Sequence, residues 1–191
     1  MNLFLWGALP YIAFTFLIVG TLVRFFYFER NWTTKSSEFL EKKQLRIANP
    51  LFHFGLLCVI GGHVVGVLIP KTWTAAIGIN DHMYHQGALY MGAVAGIIFI
   101  VGFLLLMRRR FTVPAMKVNT SGLDKWLYLF LTLAIFSGMA GTLLNASGFF
   151  DYRVSIGPWF RSLISFMPDP SLMEGVPFMF KFHMLAWMVV A

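Results

Sequence analysis

The chain has 191 residues, 58% of them hydrophobic and 12% charged, with a mean hydropathy of +0.72, which excludes a water-soluble domain, where those shares run about 45–50% and about 25%. The net charge of +7 lacks the interleaved polar surface of a nucleic-acid face and is expected at lipid boundaries instead, so no nucleic-acid partner is expected. The single cysteine, Cys58, excludes an internal disulfide or a multi-cysteine metal site and reads as a small buried hydrophobe.

Residues 3 to 23 form a first apolar run, long enough to cross about 30 Å of hydrocarbon. No basic residue precedes it and Arg24 follows it, so it reads as a retained helix starting outside, not as a secretory signal. Pro10 is tolerable near a helix start or at a kink. A polar stretch to residue 48 follows, in which SSEFLEKKQLR reads as a short surface helix capped by Ser36 or Ser37. A second span runs from about Leu51 to Ile69 and stops at Pro70. It carries His53 and His63, and Gly61, Gly62 and Gly66 strip side chains from the helix around the second histidine. The loop KTWTAAIGINDHMYHQ brings Lys71, His82 and His85 to the boundary before a third span, Gly87 to Met107, whose Gly92 and Gly96 suit close helix packing. After Arg108, Arg109, Arg110 and a second basic loop, a fourth span covers Trp126 to about Ala146 with a Gly138/Gly141 pair. A longer connection follows, with an interfacial helix expected between Trp159 and Phe166. A fifth span opens at Pro177 and carries Lys181 and His183. From Pro177 to Ala191 it rises only about 22 Å, so it reads as cut in mid-helix. The expected fold is a single all-α membrane domain over residues 1–191, an integral helical bundle of four complete transmembrane helices plus a truncated fifth.

Of the 15 basic residues, Arg24, Arg30, Lys35, Lys42, Lys43 and Arg46 fall in one loop, and Arg108, Arg109, Arg110, Lys117 and Lys125 in another. The opposite loops hold only Lys71, Arg153 and Arg161. The positive-inside rule makes this a multi-pass protein of the cell membrane with both basic loops in the cytoplasm and the N-terminus outside. The six Trp and six Tyr lie mostly near span ends, as aromatic belts do.

An imidazole in hydrocarbon must find a partner, so the intramembrane histidines are functional candidates, with hydrogen-bonded packing residues as the bland alternative. His53 and His63 are ten residues apart, about 15 Å along the axis, too far to share one metal ion. His63 lies about 18 Å from the cytoplasmic boundary, and His183 about 20 Å on a helix of opposite direction. On neighbouring helices these two can hold one haem iron between them. His53, about 3–4 Å in, needs a partner at a depth reached only beyond residue 191. If the chain ends there, the outer haem binds and the inner one lacks a ligand. Two imidazoles fill both axial positions, so such a haem passes electrons and binds no substrate at iron. Lys181 can pair with a haem propionate or simply snorkel, and His82 and His85 can be ligands, proton acceptors or polar loop residues.

The run LFHFGLLCVIGGHVVGVLIP, then GPWFR and SLMEGVPFMFKFH, resembles the gamma subunit of bacterial membrane-bound respiratory nitrate reductase over essentially the whole chain. The resemblance implies five spans and two haem b groups. The distal haem would take His63 and His183, and the proximal one His53 with a histidine late in span five that this sequence lacks. It implies quinol oxidation, with menaquinol or a related quinol, beside the distal haem on the outer side. Electrons then pass inward to an iron–sulfur beta subunit and on to a molybdenum alpha subunit that reduces nitrate. Gly62 matches a glycine of the family's quinol pocket. The lysine that some members carry at the start of span three is missing from DHMYHQGA, which leaves His82, His85 or Lys71 to accept the proton. The rival readings are a quinol-linked cytochrome b of a sulfite- or heterodisulfide-type reductase, and a membrane transporter or anchor using its histidines without haem.

Overall fold

The computed structural model describes residues 2–27 and 41–190. Its elements are α1 (Leu9–Tyr27), α2 (Lys43–His63), α3 (Lys71–Ala76), α4 (Asp81–Thr112), α5 (Pro114–Val118), α6 (Gly122–Leu144), α7 (Ile156–Ile164) and α8 (Phe178–Val190). A π-helical turn, Phe4–Ala8, leads into α1, a second one, Val64–Leu68, continues α2, and a 3-10 turn, Pro170–Met173, precedes α8. Among the described residues, four helical stretches are long and apolar enough to cross a membrane: Phe4–Tyr27, Lys43–Leu68, Asp81–Thr112 and Gly122–Leu144. The expected all-α membrane bundle is what the chain forms.

Helix ends follow backbone chemistry where hydropathy does not. α4 starts at Asp81, six residues before the apolar run, because the Asn80 side chain accepts the Met83 N–H at 2.9 Å and satisfies a donor left free in the first turn. His82 and His85 therefore lie on a helix, not in a loop. α4 also continues through the three arginines, good helix formers, and stops at Val113 ahead of Pro114. α6 opens on a capping box in which Ser121 and Asp124 each accept the other's backbone N–H. α2 begins at Lys43 with Pro50 inside it. The surface helix expected from Ser36 thus becomes, from Lys43 onward, the first turns of α2, while its proposed caps Ser36 and Ser37 lie outside the described residues. The interfacial helix is α7, ended near Phe166 at φ 57°.

α2 packs along α4 and α6 along α8, the α4–α6 contact joins the two pairs, and α1 lies against α8. The α2–α4 seam closes on glycines. A Cβ on Gly55 would stand 2.5 Å from the Phe99 nitrogen, and one on Gly102 would run into the Phe52 backbone. Of the pair expected to pack, Gly96 meets Met139, whereas Gly92 faces open space. Phe99, Phe103 and Ile135 fill the α4–α6 contact. At the other end Trp6, Ile156, Trp159, Leu163, Met173 and Val176 form a second cluster, locked by the Trp159 indole N–H on the Trp6 carbonyl at 2.8 Å. Cys58 is exposed on α2, so it is no core residue: the packed face of that helix is the one carrying Gly55. Along α1 large apolar side chains such as Phe14, Phe16 and Ile18 point outward, as a helix in contact with hydrocarbon requires.

Gly102→Val is expected to push α2 from α4 and cost about 1–3 kcal/mol, seen as a lower unfolding temperature in detergent. Gly20→Ala, with nothing within 4 Å, is expected to be neutral or slightly stabilising through helix propensity.

Candidate functional site

α2 and α8 present histidines to one another without extended backbone contact between the two helices. His63 closes α2 and His183 sits mid-way along α8. Their ring centroids are 6.0 Å apart with planes 30° from parallel.

Each ring is oriented by a carbonyl oxygen. His63 Nδ1 lies 2.8 Å from the Val59 carbonyl one turn back on its own helix. His183 Nδ1 lies 2.8 Å from the Ala134 carbonyl on α6. A carbonyl can only accept, so Nδ1 carries the proton and Nε2 keeps its lone pair. This is the form in which imidazole binds a metal, and a backbone carbonyl on the other nitrogen is the usual support for it. His53, on the same helix as His63, has the same arrangement, with Nδ1 2.9 Å from the Asn49 carbonyl.

Metal–imidazole bonds of about 2 Å on either side of one ion put ring centres about 6 Å apart, the separation found here. A bare ion needs more protein ligands than two, and among the described residues no group of three His, Cys, Asp or Glu side chains gathers to provide them. The pair suits an iron whose other ligands belong to a flat macrocycle. Gly61 and Gly62 leave the α2 surface beside His63 bare, since a methyl group placed on either would meet nothing within 4 Å, so a flat group there could come close to the backbone.

Beyond His63 the helix widens into the π turn Val64–Leu68, a form that leaves backbone groups out of register and recurs near functional sites. Arg161 Nη1 takes up the Val67 carbonyl at 2.7 Å. Gly66 lets two phenols approach: a Cβ there would be 3.1 Å from the Tyr152 ring and 3.4 Å from the Tyr84 hydroxyl. Burial pushes the Tyr152 phenol well above its usual range, and the neighbouring Tyr84 hydroxyl adds to this, so it stays neutral. Arg153, only 4% exposed, donates to Thr74 Oγ1 at 2.7 Å and stacks over the Tyr84 ring at 3.7 Å.

Lys71 bridges the same end of the bundle, 2.8 Å from Asp81 and 3.1 Å from Asp151. The hydrogen bonds it donates to these carboxylates, Asp81 first, hold its ammonium above the ordinary lysine range. His85 is half-buried, its Nε2 3.2 Å from the Ala146 carbonyl, with Gly148 against the ring. His82 is exposed one turn earlier. Lys181 reaches back to donate to the Glu174 carbonyl at 3.2 Å. The structure therefore brings His63 and His183 together, leaves His53 further along α2, and gathers Lys71 with two aspartates instead of with the histidines. Sequence reasoning misses Ser137 and the Ala134 carbonyl, both at His183, and marks Gly138 only as a packing residue. Their signal is a small-residue turn on the helix beside the ligand-bearing one.

The family model described as nitrate reductase gamma subunit matches residues 2–191. The chain belongs to the nitrate reductase gamma subunit family. It is 47% identical over 187 residues to the nitrate reductase gamma chain of Bacillus subtilis, covering 97% of this chain and 84% of that one. The respiratory nitrate reductase 1 gamma chain of Escherichia coli is 27% identical over 192 residues, covering 100% and 85%. A nitrate reductase-like protein of Mycobacterium tuberculosis is 39% identical over 183 residues, which are 94% of this chain but 28% of that longer protein. A gamma subunit is one part of a nitrate reductase, so the chain is one subunit of an enzyme with others.

The Lys71 network sets a pH dependence for this gamma subunit. A lysine whose folded-state pKa is raised contributes stability in full below its unfolded value and loses it as pH rises through the folded one. The unfolding temperature of Lys71→Met is expected to fall modestly below that of the parent at neutral pH, because the pair is partly exposed. The difference is expected to close as pH rises through the raised folded-state pKa of Lys71, on the alkaline side of the ordinary lysine range.

Proposed function

We propose that this gamma subunit oxidises quinol at the outer side of the membrane and carries the electrons inward through two b-type haems. The observation that carries the reading is the facing pair His63 and His183, 6.0 Å apart, each with Nδ1 engaged by a carbonyl and Nε2 free. A haem held by two imidazoles supplies one-electron transfer at an iron closed to oxygen and substrate.

His63 and His183 would hold the outer haem, and Gly61 and Gly62 would leave space for it beside α2. His53, about 15 Å further along α2, would supply a ligand to the inner haem. Lys181 has an exposed ammonium on one neutral carbonyl and is the candidate partner for a propionate.

Quinol must release protons as it gives up electrons, so a base has to stand at the outer end. Lys71 is already an ammonium between two carboxylates, and Tyr152 is a neutral phenol. His85 suits this role, because the Ala146 carbonyl fixes its proton on Nε2 and leaves Nδ1 as the acceptor. His82, exposed on the preceding turn, can pass the proton to water. Gly62 and His63 form the inner wall of the same quinol pocket. The basic end of the bundle, with Arg108, Arg109 and Arg110, faces the cytoplasm by the charge distribution of the loops. There it meets anionic lipid, the iron–sulfur beta subunit and, beyond that, the molybdenum alpha subunit where nitrate is reduced.

The test is a dithionite-reduced minus oxidised spectrum of the purified membrane protein with haem counted per chain. A low-spin b-type spectrum should lose one haem on His63→Ala or on His183→Ala. A folded protein with no haem would refute the reading. His85→Phe should keep the haem and lower the rate of quinol oxidation by about 100-fold or more, the usual contribution of a positioned acid–base group.

A further inference from the structure

α6 supplies no candidate ligand, yet it touches His183 at three points within one turn. The Ala134 carbonyl takes the Nδ1–H at 2.8 Å. The Ser137 hydroxyl, 6% exposed, donates to that same carbonyl at 3.1 Å and stands 3.3 Å from His183 Nδ1. With its proton committed to Ala134, the hydroxyl turns its lone pair toward the ring N–H. Gly138 closes the third side: a methyl group on it would stand 2.7 Å from His183 Cε1 and 3.1 Å from Nδ1. His63 differs on each count. Its Nδ1 is held by its own helix, and the glycines beside it face open space.

We infer that Ser137 and Gly138 are positioning residues for the outer haem, Gly138 by letting the Nδ1–Cε1 edge of the His183 ring come close to α6 and Ser137 by setting the electron density that ring offers to iron. The inference rests on His183 being a ligand, as proposed above. An acceptor facing the distal N–H of an axial imidazole makes the ligand more basic, which favours the oxidised iron. The Ser137 oxygen points its negative end at that N–H, so its removal should make reduction easier. Ala134 cannot be probed in this way because it acts through its backbone.

The variants Ser137→Ala, Ser137→Thr, Gly138→Ala and Gly141→Ala are compared with the parent in the intact membrane complex, by haem per chain, low-spin electron paramagnetic resonance and redox titration. Ser137→Ala should keep its haem and shift the outer haem potential upward, and Ser137→Thr should restore it. An unchanged or lowered potential in Ser137→Ala overturns the assignment to Ser137. Gly138→Ala should lose the outer haem or alter its resonance signal, although alanine favours the helix. Gly141→Ala, whose methyl would lie an ordinary 3.7 Å from Phe180, should do neither. A full complement of outer haem with an unaltered signal in Gly138→Ala overturns the role of that glycine. If Gly138→Ala fails to fold, the potential of Ser137→Ala decides alone. A parent that binds no haem overturns the proposed function and this inference together. Haem lost on His183→Ala but indifferent to both α6 variants overturns only the inference.

Discussion

An imidazole whose Nδ1 faces a carbonyl oxygen has no choice of tautomer, and three histidines of this chain are held in that state within or beside apolar helices. For His53 and His63 the carbonyl lies one turn back on the same helix, so the orientation comes with the fold of α2 alone. For His183 it comes from α6, so the ring is in place only when α6 and α8 are packed. The rest of the bundle can be understood as what brings two such rings to 6.0 Å without extended contact between their helices. The α2–α4 seam, closed on Gly55 and Gly102, and the α6–α8 seam, closed on Gly138, bring backbones together on either side of the gap. No large side chain need fill the gap itself, which is what a flat prosthetic group requires.

The end of the bundle beyond His63 is built on a different principle. Here charge is neutralised by groups from distant segments: Lys71 from α3 against Asp81 at the start of α4 and Asp151 from the connection before α7. Arg153 is buried on Thr74 and the face of Tyr84. These contacts tie α3, α4 and the connection together at the end of the bundle beyond His63. At the opposite end the corresponding tie is the Arg109–Glu41 ion pair at 2.9 Å. Glu41 also accepts the Gln44 N–H at the start of α2, and with Arg109 this holds its carboxyl below the usual range.

The pairing of His63 with His183 is legible in sequence because depth along a straight helix is a matter of counting residues, and an error of a turn does not change which rings meet. The same counting fails at helix ends. Hydropathy marks the part of a helix that lies in lipid, whereas the end of the helix is set by caps such as Asn80 and by prolines such as Pro114, so hydropathy puts His82 and His85 in a loop they do not occupy. Glycine spacing does not say which face of α4 meets α2: Gly92 and Gly96 have the expected interval, yet Gly102 makes that contact. Ser137 stays invisible as a functional residue for a deeper reason. Its significance is a distance to a side chain 46 positions away, and one chain read alone gives no register between α6 and α8. The salt bridges of Lys71 are hidden in the same way, since Asp151 is 80 residues distant.

The central claim is that one iron lies between His63 and His183, and the most direct measurement is the position of iron in the intact complex. A map with anomalous scattering collected at the iron edge would supply it. An iron peak is expected between the Nε2 atoms of the two rings, with a flat density beside Gly61 and Gly62. A map of the folded complex in which the two rings face each other without iron, or in which iron is bound by another pair of side chains, would contradict it.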